Sequence, residues 1–296
     1  MTAPVVVIGA GPAGIEAAIQ LRRSNVEFLL LEKERVGGLL NEANRVDNFP
    51  GIPGGVPGRI LAARLKRQLA AAGIQVEKTA VRHLAFHADR FLIETEMGTI
   101  TADKVILASG SLPLCPGPLL DREQLRGRLY ASVLPLLKAS QETIAVIGGG
   151  DSALDYALSL AEKNKVCILV RSARPRALQL LIERCRRNRR IVIHENCRLA
   201  EALLGEKGEI VLKTVNALDG RSGEIRCQRI LTAIGRSPAL DFLDPELRTA
   251  LPELVTRKVI FLAGDAGNGR FRQATIAAAD GLRAAMEIHA GECSCA

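Results

Sequence analysis

Apolar positions in this chain fall in short unbroken runs, each closed by a glycine-rich turn and followed by an Ala- and Leu-rich stretch of helical period. The run 4–9 is apolar at consecutive positions, as in a strand buried on both faces. A helix is predicted over 14–22 and a second strand over 27–31. Residues 36–58 are rich in Gly, Pro and Asn with apolar residues interleaved, which predicts a structured loop rather than a linker. A helix over 59–72 follows. Alternating segments at 75–81, 90–96 and 98–102 then predict a small antiparallel meander turning at Met97–Gly98, and 104–108 reads as another buried strand.

The order then recurs. A strand is predicted over 143–147, a glycine turn at Gly148, Gly149 and Gly150, a helix over 152–162, a strand over 166–170 and a helix over 177–187. A second alternating region takes in 191–194, 210–215 and 224–227, and a strand over 229–233 ends at Ile234–Gly235. Two copies of one architecture are therefore expected. A strand over 259–263, Gly264–Asp265 and a helix over 273–289 close the chain. Folding the end back onto the first copy gives an α/β protein of two Rossmann-type, three-layer ββα dinucleotide-binding domains, one inserted in the other. The expected boundaries are 1–114 with 240–296 for the outer domain and 115–239 for the inserted one.

Composition narrows the chemistry. Hydrophobic residues make up 48% of the 296, aromatics only 3%, and there is no Trp, so the cores are aliphatic and stacking platforms for nucleic acid are scarce. No apolar stretch is long enough to span a bilayer, and no basic segment precedes the first apolar run, so a cytoplasmic location is expected. The formal net charge of +8 suits phosphate-bearing cofactors or an acidic protein partner; the run Arg184, Arg186, Arg187, Arg189 and Arg190 is equally explained as an exposed helix end. Seven cysteines, an odd number, argue against a disulfide framework, and no C-x-x-C occurs. His83, His87, His194 and His289 show no metal spacing, so no metal site is expected.

The two glycine turns carry the chemistry. Gly9-Ala10-Gly11-Pro12-Ala13-Gly14 follows a strand and opens a helix, with Glu32 closing the next strand where a ribose hydroxyl partner is expected. The helix N-terminus presents free N–H groups and a positive dipole end to a pyrophosphate. The second turn, Gly148-Gly149-Gly150-Asp151-Ser152-Ala153, has Ala at the third glycine. Its second strand ends in Arg171, with Arg174 and Arg176 following and no acid. Arginine forks match a ribose 2′-phosphate, which points to NADPH, with NADH the alternative and a solvated arginine loop the plain reading.

V-V-V-I-G-A-G-P-A-G (5–14), V-G-G-L-L (36–40), V-D-N-F-P-G (46–51), I-L-A-S-G (106–110), G-G-G-D-S-A (148–153), A-I-G-R-S-P (233–238), G-D (264–265) and R-Q-A (272–274) occur in this order. So arranged, the chain resembles the low-molecular-weight thioredoxin reductase family over nearly its whole length. The resemblance implies FAD on the first and last segments: Gly9, Gly11, Pro12, Ala13, Gly14, Glu32, Lys33, Gly38, Leu39, Asn48, Gly110, Gly264, Asp265, Arg272, Gln273 and Ala274. Among these it puts Glu32 on the ribose, Asn48 on the flavin and Asp265 on the ribityl chain. Gln273 and Ala274 would sit at the flavin, where a helix N-terminus stabilises the reduced state's negative charge. It implies NAD(P)H on Gly148, Gly150, Asp151, Ser152, Ala153, Arg171, Arg176 and Gly235, and a homodimer.

The chain also departs from the family. Where thioredoxin reductases carry C-A-T-C-D it has Ala131-Ser132-Val133-Leu134-Pro135, and the H-R-R-x-x-x-R signature reads V-R-S-x-x-x-R at 170–176. The resemblance extends to ferredoxin–NADP reductases that share the two-domain body without the dithiol, although R-Q-A is nearer the thioredoxin reductases. The expected activity is hydride transfer from NADPH to FAD and on to an external acceptor, either an acidic ferredoxin- or flavodoxin-like carrier or a small molecule. No catalytic side chain is singled out. The alternatives are a disulfide reductase using Cys293 and Cys295 in the C-terminal tail, or a non-catalytic flavin sensor or assembly subunit. A final helix of about seventeen residues is roughly 25 Å long, so a tail starting at its far end reaches its own flavin only marginally. Cys115, near the domain crossover, reads as a buried structural thiol, with a place close to a cofactor the alternative, and Tyr130 either as packing or as a cover for a cofactor.

Overall fold

The computed structural model describes residues 1–114, 117, 120 and 123–293, without the side chains of residues 292 and 293. In chain order the elements are β1 (Thr2–Ile8), α1 (Pro12–Arg23), β2 (Phe28–Glu32), α2 (Gly58–Ala71), β3 (Glu77–Lys78), β4 (Val81–His87), β5 (Arg90–Thr95), β6 (Gly98–Leu107) and β7 (Ser111–Pro113). Next come β8 (Leu129–Tyr130), β9 (Thr143–Ile147), α3 (Asp151–Leu160), β10 (Lys165–Leu169), α4 (Gln179–Arg187), β11 (Ile191–His194), β12 (Cys197–Leu204), β13 (Ile210–Asn216), β14 (Ser222–Cys227) and β15 (Arg229–Thr232). The chain ends with β16 (Arg236–Pro238), α5 (Pro245–Thr256), β17 (Ile260–Leu262) and α6 (Ala274–Cys293).

Two compact units result. The first comprises Met1–Asn41, Val46–Leu112 and the chain from Ser237 onward; the second comprises Glu42–Arg45 and Pro113–Arg236. These divisions fall two and three residues before the expected 114/115 and 239/240, and the short segment Glu42–Arg45 is exchanged. The strands that carry the chain between the units, β7 and β16, pair with each other.

In the first unit the sheet runs β3-β2-β1-β6-β5-β4, with β17 also on β6. Val5 to Val7, Val105 and Ile106 are fully buried, as expected of strands covered on both faces. One face packs against α1, α2 and α6, and the other against the meander and α5. Gly98–Ala102 and Lys104–Ala108, expected as two strands, are one: β6 pairs antiparallel with β5 in its first half and parallel with β17 in its second. The first meander strand is β4, at Val81–His87, rather than 75–81. Before Val81 only Glu77 and Lys78 of that stretch form a strand, and they lie parallel to β2 before Thr79 donates to Glu32 O and the chain changes sheet edge.

The second unit separates the two sheets. Its parallel sheet runs β11-β10-β9-β15-β8, and its meander β12-β13-β14 stands apart. The segment 191–194, expected in the meander, is instead the edge of the parallel sheet, Val166 lying beside Ile191. An edge strand has one wet side, and Val192 is exposed, which explains an alternation that mimics a meander. The meander's first strand is Cys197–Leu204.

Two helices correct the reading further. Helix α5 has no counterpart in the expected elements, yet Asp244-Pro245-Glu246 is a helix start: the Asp244 carboxylate accepts from the Glu246 N–H and Pro245 takes the first turn. Helix α6 does not stop at His289 but runs to Cys293, since an Ala-rich stretch lacks a breaker strong enough to end it.

Candidate functional site

The first glycine turn is forced by contacts a side chain would break. Gly9 has φ +104°, and a Cβ there would stand 2.3 Å from the Ala108 carbonyl oxygen; one on Gly14 would stand 1.8 Å from the Gly9 oxygen. Gly11 faces open space, so a ligand can approach its backbone. Pro12 starts α1, where its missing N–H costs nothing. Glu32 ends β2 with its Oε2 accepting from the Ala10 N–H at 2.7 Å and its Oε1 from Glu34 and Arg35 N–H at 2.8 and 3.2 Å. The Ala10 carbonyl accepts from Gly37 N–H at 2.7 Å, and Gly38 packs over Gly11. Lys33 is exposed and Leu39 half-buried in the short 3-10 turn that follows.

The end of the chain returns to this turn. Gly264, at φ +68°, is wedged between Ala13 and Ala277, so Asp265 stands beside the start of α1. Asp265 Oδ2 accepts from Ser111 Oγ at 3.0 Å. Asn48, in the loop 46–56, donates through Nδ2 to Gln273 Oε1 at 3.0 Å, immediately before Ala274 opens α6. Arg272 is half-buried next to it, and Gly110 has φ +75° just before β7. Gly9 to Gly14, Glu32, Gly38, Gly264 and Asp265 thus gather around one helix N-terminus, with Asn48 and Gln273 gathered at another. Ser111 was not among the sequence candidates; a hydroxyl after Ser109–Gly110 gives no signal until Asp265 is seen beside it.

The second turn repeats the geometry. Gly148 has φ +146°, and a Cβ there would meet the Ala233 oxygen at 2.2 Å; Gly150 faces open space; Ala153 is fully buried. The Gly149 carbonyl accepts from Arg176 N–H at 2.7 Å, and Asp151 Oδ1 from Leu178 N–H at 2.8 Å. Ser152, Arg171 and Arg176 are exposed, and Gly235 has φ +128° at the end of the strand over 229–233. A cleft of about 660 Å³ in this unit, lined by Arg128, Glu142, Glu209, Arg226 and Arg229, lies elsewhere. It sits where β9 and β15 begin, whereas ligands of open α/β sheets bind where strands end.

The segment Ala131–Pro135, expected to align with the family's dithiol, contains no sulfur. Val133 is fully buried, Leu134 and Pro135 enter a short 3-10 turn, and Ser132 Oγ donates to Glu42 Oε1 at 2.8 Å. Tyr156 donates to the other oxygen of Glu42 at 2.7 Å, and burial together with that carboxylate raises the phenol pKa. Tyr130 has an ordinary polar role: its hydroxyl donates to Gly127 O and accepts from Arg229, which also pairs with Glu142. Burial raises the thiols of Cys167 and Cys197, pushes Cys185 up to about 11 and Cys227 up to about 12. None of these is an activated thiolate. Cys115 and Cys295 lie outside the described residues, and the Cys293 side chain is not described. Among the described residues no cluster of three metal-ligating side chains occurs, and no helix is long and apolar enough to cross a membrane.

Known proteins share this organisation. The family model for pyridine nucleotide-disulphide oxidoreductases matches residues 3–281. A thioredoxin reductase of Treponema pallidum is 31% identical over 298 residues, covering 95% of this chain and 94% of its own. One from Eremothecium gossypii is 31% identical over 311 residues, covering 96% of each chain. The crystal structure of Lactococcus lactis thioredoxin reductase superposes with a TM-score of 0.85 at 27% identity, over 97% of this chain and 98% of that one. Thioredoxin reductases use FAD and NADPH. With the two dinucleotide turns and these likenesses in place, the chain belongs to the pyridine nucleotide-disulphide oxidoreductase family and is an FAD-containing, NAD(P)H-dependent oxidoreductase of thioredoxin reductase type.

Proposed function

We propose that this protein passes electrons from NADPH through FAD to an external acceptor without a protein dithiol of the C-x-x-C kind. The observation that carries this is the segment Ala131–Pro135, where Ala131 and Leu134 stand in the two cysteine positions. The raised thiols of Cys167, Cys185, Cys197 and Cys227 support it, because an inert thiol cannot serve as a substitute relay. Helix α6 adds to it: twenty residues carry Cys293 roughly 30 Å from Ala274, further than a helix ending at His289 would.

The residues fit both cofactors. In the first unit Gly11 leaves its backbone open to a pyrophosphate at the N-terminus of α1, Glu32 offers carboxylate oxygens to a ribose, and Asp265 a carboxylate to the ribityl chain. Asn48 and Gln273 hold each other's amides at the start of α6, where they would receive a flavin. In the second unit Gly150 is open in the same way, and Arg171 and Arg176 offer forks to a 2′-phosphate. When bound, the cofactors supply hydride chemistry, the reduced nicotinamide as donor and the flavin as acceptor. The protein binds and orients, and no side-chain acid or base is assigned to that step.

The acceptor of this reading is an acidic carrier protein, which the net charge of +8 would steer. The assembly is a homodimer in the cytoplasm. An anaerobic NADPH titration tests the core of the proposal. Two electron equivalents per FAD are expected at full bleaching; four would reveal a second redox centre, most simply a Cys293–Cys295 disulfide, and would overturn it. Turnover with an acidic carrier should fall steeply with added salt, and salt-independent turnover would remove the charge argument.

A further inference from the structure

Among the described side chains the last helix contains one buried carboxylate. Asp280 lies in A-A-A-D-G-L-R-A-A, is 8% exposed, and would cost several kcal/mol to bury without partners. Its partners lie on or beside one turn. Oδ2 accepts from the Gly264 N–H at 3.2 Å and from the Asn268 side-chain amide, and Oδ1 from Arg283 at 2.8 Å. The Gly264 carbonyl in turn accepts from Gly267 and Asn268 N–H at 2.9 and 3.1 Å. Gly281, the next residue, fixes the height of Asp280: a Cβ there would stand 1.9 Å from the Ala13 oxygen, so α6 lies against α1 with no freedom to slide. On the other side of the turn, Ser111 Oγ donates to Asp265 Oδ2, and Ser111 is itself 7% exposed.

We infer that Asp280 and Ser111 are positioning residues for FAD: Asp280 fixes the backbone of Gly264–Asp265 from below, and Ser111 fixes the rotamer of the Asp265 carboxylate from the side. The inference rests on the assignment of Asp265 to the ribityl chain proposed above. The reasoning is geometric. A carboxylate that must receive a flexible polyol cannot spend binding energy on ordering itself. A turn built on a left-handed glycine has only backbone bonds to hold it unless a neighbour supplies an acceptor for its leading N–H. Asp280 supplies that acceptor from a rigid helix, and the Arg283 contact neutralises the charge that burial leaves. Ser111 engages Oδ2 of Asp265, so that Oδ1 is the oxygen assigned to the ligand.

The test compares three variants, Asp265→Ala, Asp280→Asn and Ser111→Ala, by FAD dissociation constant from flavin fluorescence and by thermal midpoints of apo- and FAD-loaded protein. Asp265→Ala reads the underlying assignment. If it leaves FAD affinity unchanged, the site reading fails and the inference falls with it. If it weakens FAD, the other two decide. The expected result is a loss of about ten-fold in affinity for Asp280→Asn and about five-fold for Ser111→Ala, on the scale of one or two hydrogen bonds. The apo midpoints should stay near the parent's, so the stabilisation that FAD confers narrows. Affinities within two-fold of the parent would overturn the inference, as would a fall in the apo midpoint with FAD affinity retained, the signature of a purely structural aspartate. Should Asp280→Asn fail to fold, Ser111→Ala alone decides, since it removes one hydroxyl and changes no charge.

Discussion

The two glycine turns share a backbone and differ in what they offer a ligand. In each, the residue after the first glycine accepts a backbone N–H from a residue twenty-seven positions on: Ala10 from Gly37 and Gly149 from Arg176, both at 2.7 Å. In each, the first glycine lies against the carbonyl of the alanine ending a central strand, Ala108 in one and Ala233 in the other. The difference begins at the second strand. In the first unit Glu32 gathers three backbone N–H groups and presents a carboxylate; in the second no acid stands there, and Arg171 and Arg176 present guanidinium groups to solvent. The loop is tied instead by Asp151, from inside the helix start. One scaffold thus carries two strand ends of opposite sign, which the proposed function assigns to ribose hydroxyls and to a phosphate; the turn geometry is set by backbone contacts and the charge by a single strand end.

The third glycine offers the largest contrast. Gly14 lies 1.8 Å beneath the Gly9 oxygen once a Cβ is added, whereas the second turn already accepts Ala153. Gly14→Ala should cost about 3 kcal/mol or more and yield protein without FAD, while Ala153→Gly should cost no more than about 1 kcal/mol, the helix propensity difference. Denaturation curves and flavin content check both. Equal costs would mean that the two turns are not built alike.

The next largest effect concerns the strand ends. Glu32→Ala leaves three backbone N–H groups without their acceptor and should weaken FAD at least about ten-fold, measured by fluorescence titration. Replacing Arg171 and Arg176 together by Ala should raise KM for NADPH about ten- to a hundred-fold and leave KM for NADH nearly unchanged. A matching loss with NADH would sink the phosphate assignment.

Thiol reactivity tests the proposed separation of the chain from a dithiol enzyme. With Cys227 near 12 and Cys185 near 11, alkylation of these two in the native protein at pH 8 should run at least about a hundred-fold slower than for a free thiol. Quantifying labelled peptides over time measures this. Rapid labelling at either site would reopen the question of a thiol relay.

The smallest effect is at His194, whose pKa burial lowers below the ordinary value. The unfolded chain then binds the proton more readily. The stabilisation is present above a pH of about 6.5 and lost as pH falls toward the folded value. It should be seen as a small drop in midpoint between pH 7 and 5.5 that flattens in His194→Gln.

Much of this was legible because its causes are local. A double glycine turn needs only backbone sterics, so Gly9, Gly14 and Gly148 reveal themselves by spacing; buried parallel strands advertise themselves as unbroken apolar runs. The meanders were harder. β6 pairs antiparallel with β5 in its first half and parallel with β17 in its second, within one sheet, and β11 is an edge strand with one wet side, so pattern alone divided the first and misassigned the second. Helix α5 was missed although Asp244-Pro245 carried the signal, because its apolar positions pack on two meander strands distant in sequence, at Leu84 and Phe91.

What the sequence by itself determined is the pair of dinucleotide turns, the sign of the group at each second strand end, and the absence of any C-x-x-C pair. Each depends on residue identity at fixed short spacing. Only the tertiary structure decided that Gly264 wedges against Ala13, that Ser111 reaches Asp265 and that Asp280 lies beneath the same turn. These contacts join residues more than a hundred positions apart or sit on a helix face chosen by packing, and no local period specifies which buried polar atom will find which partner.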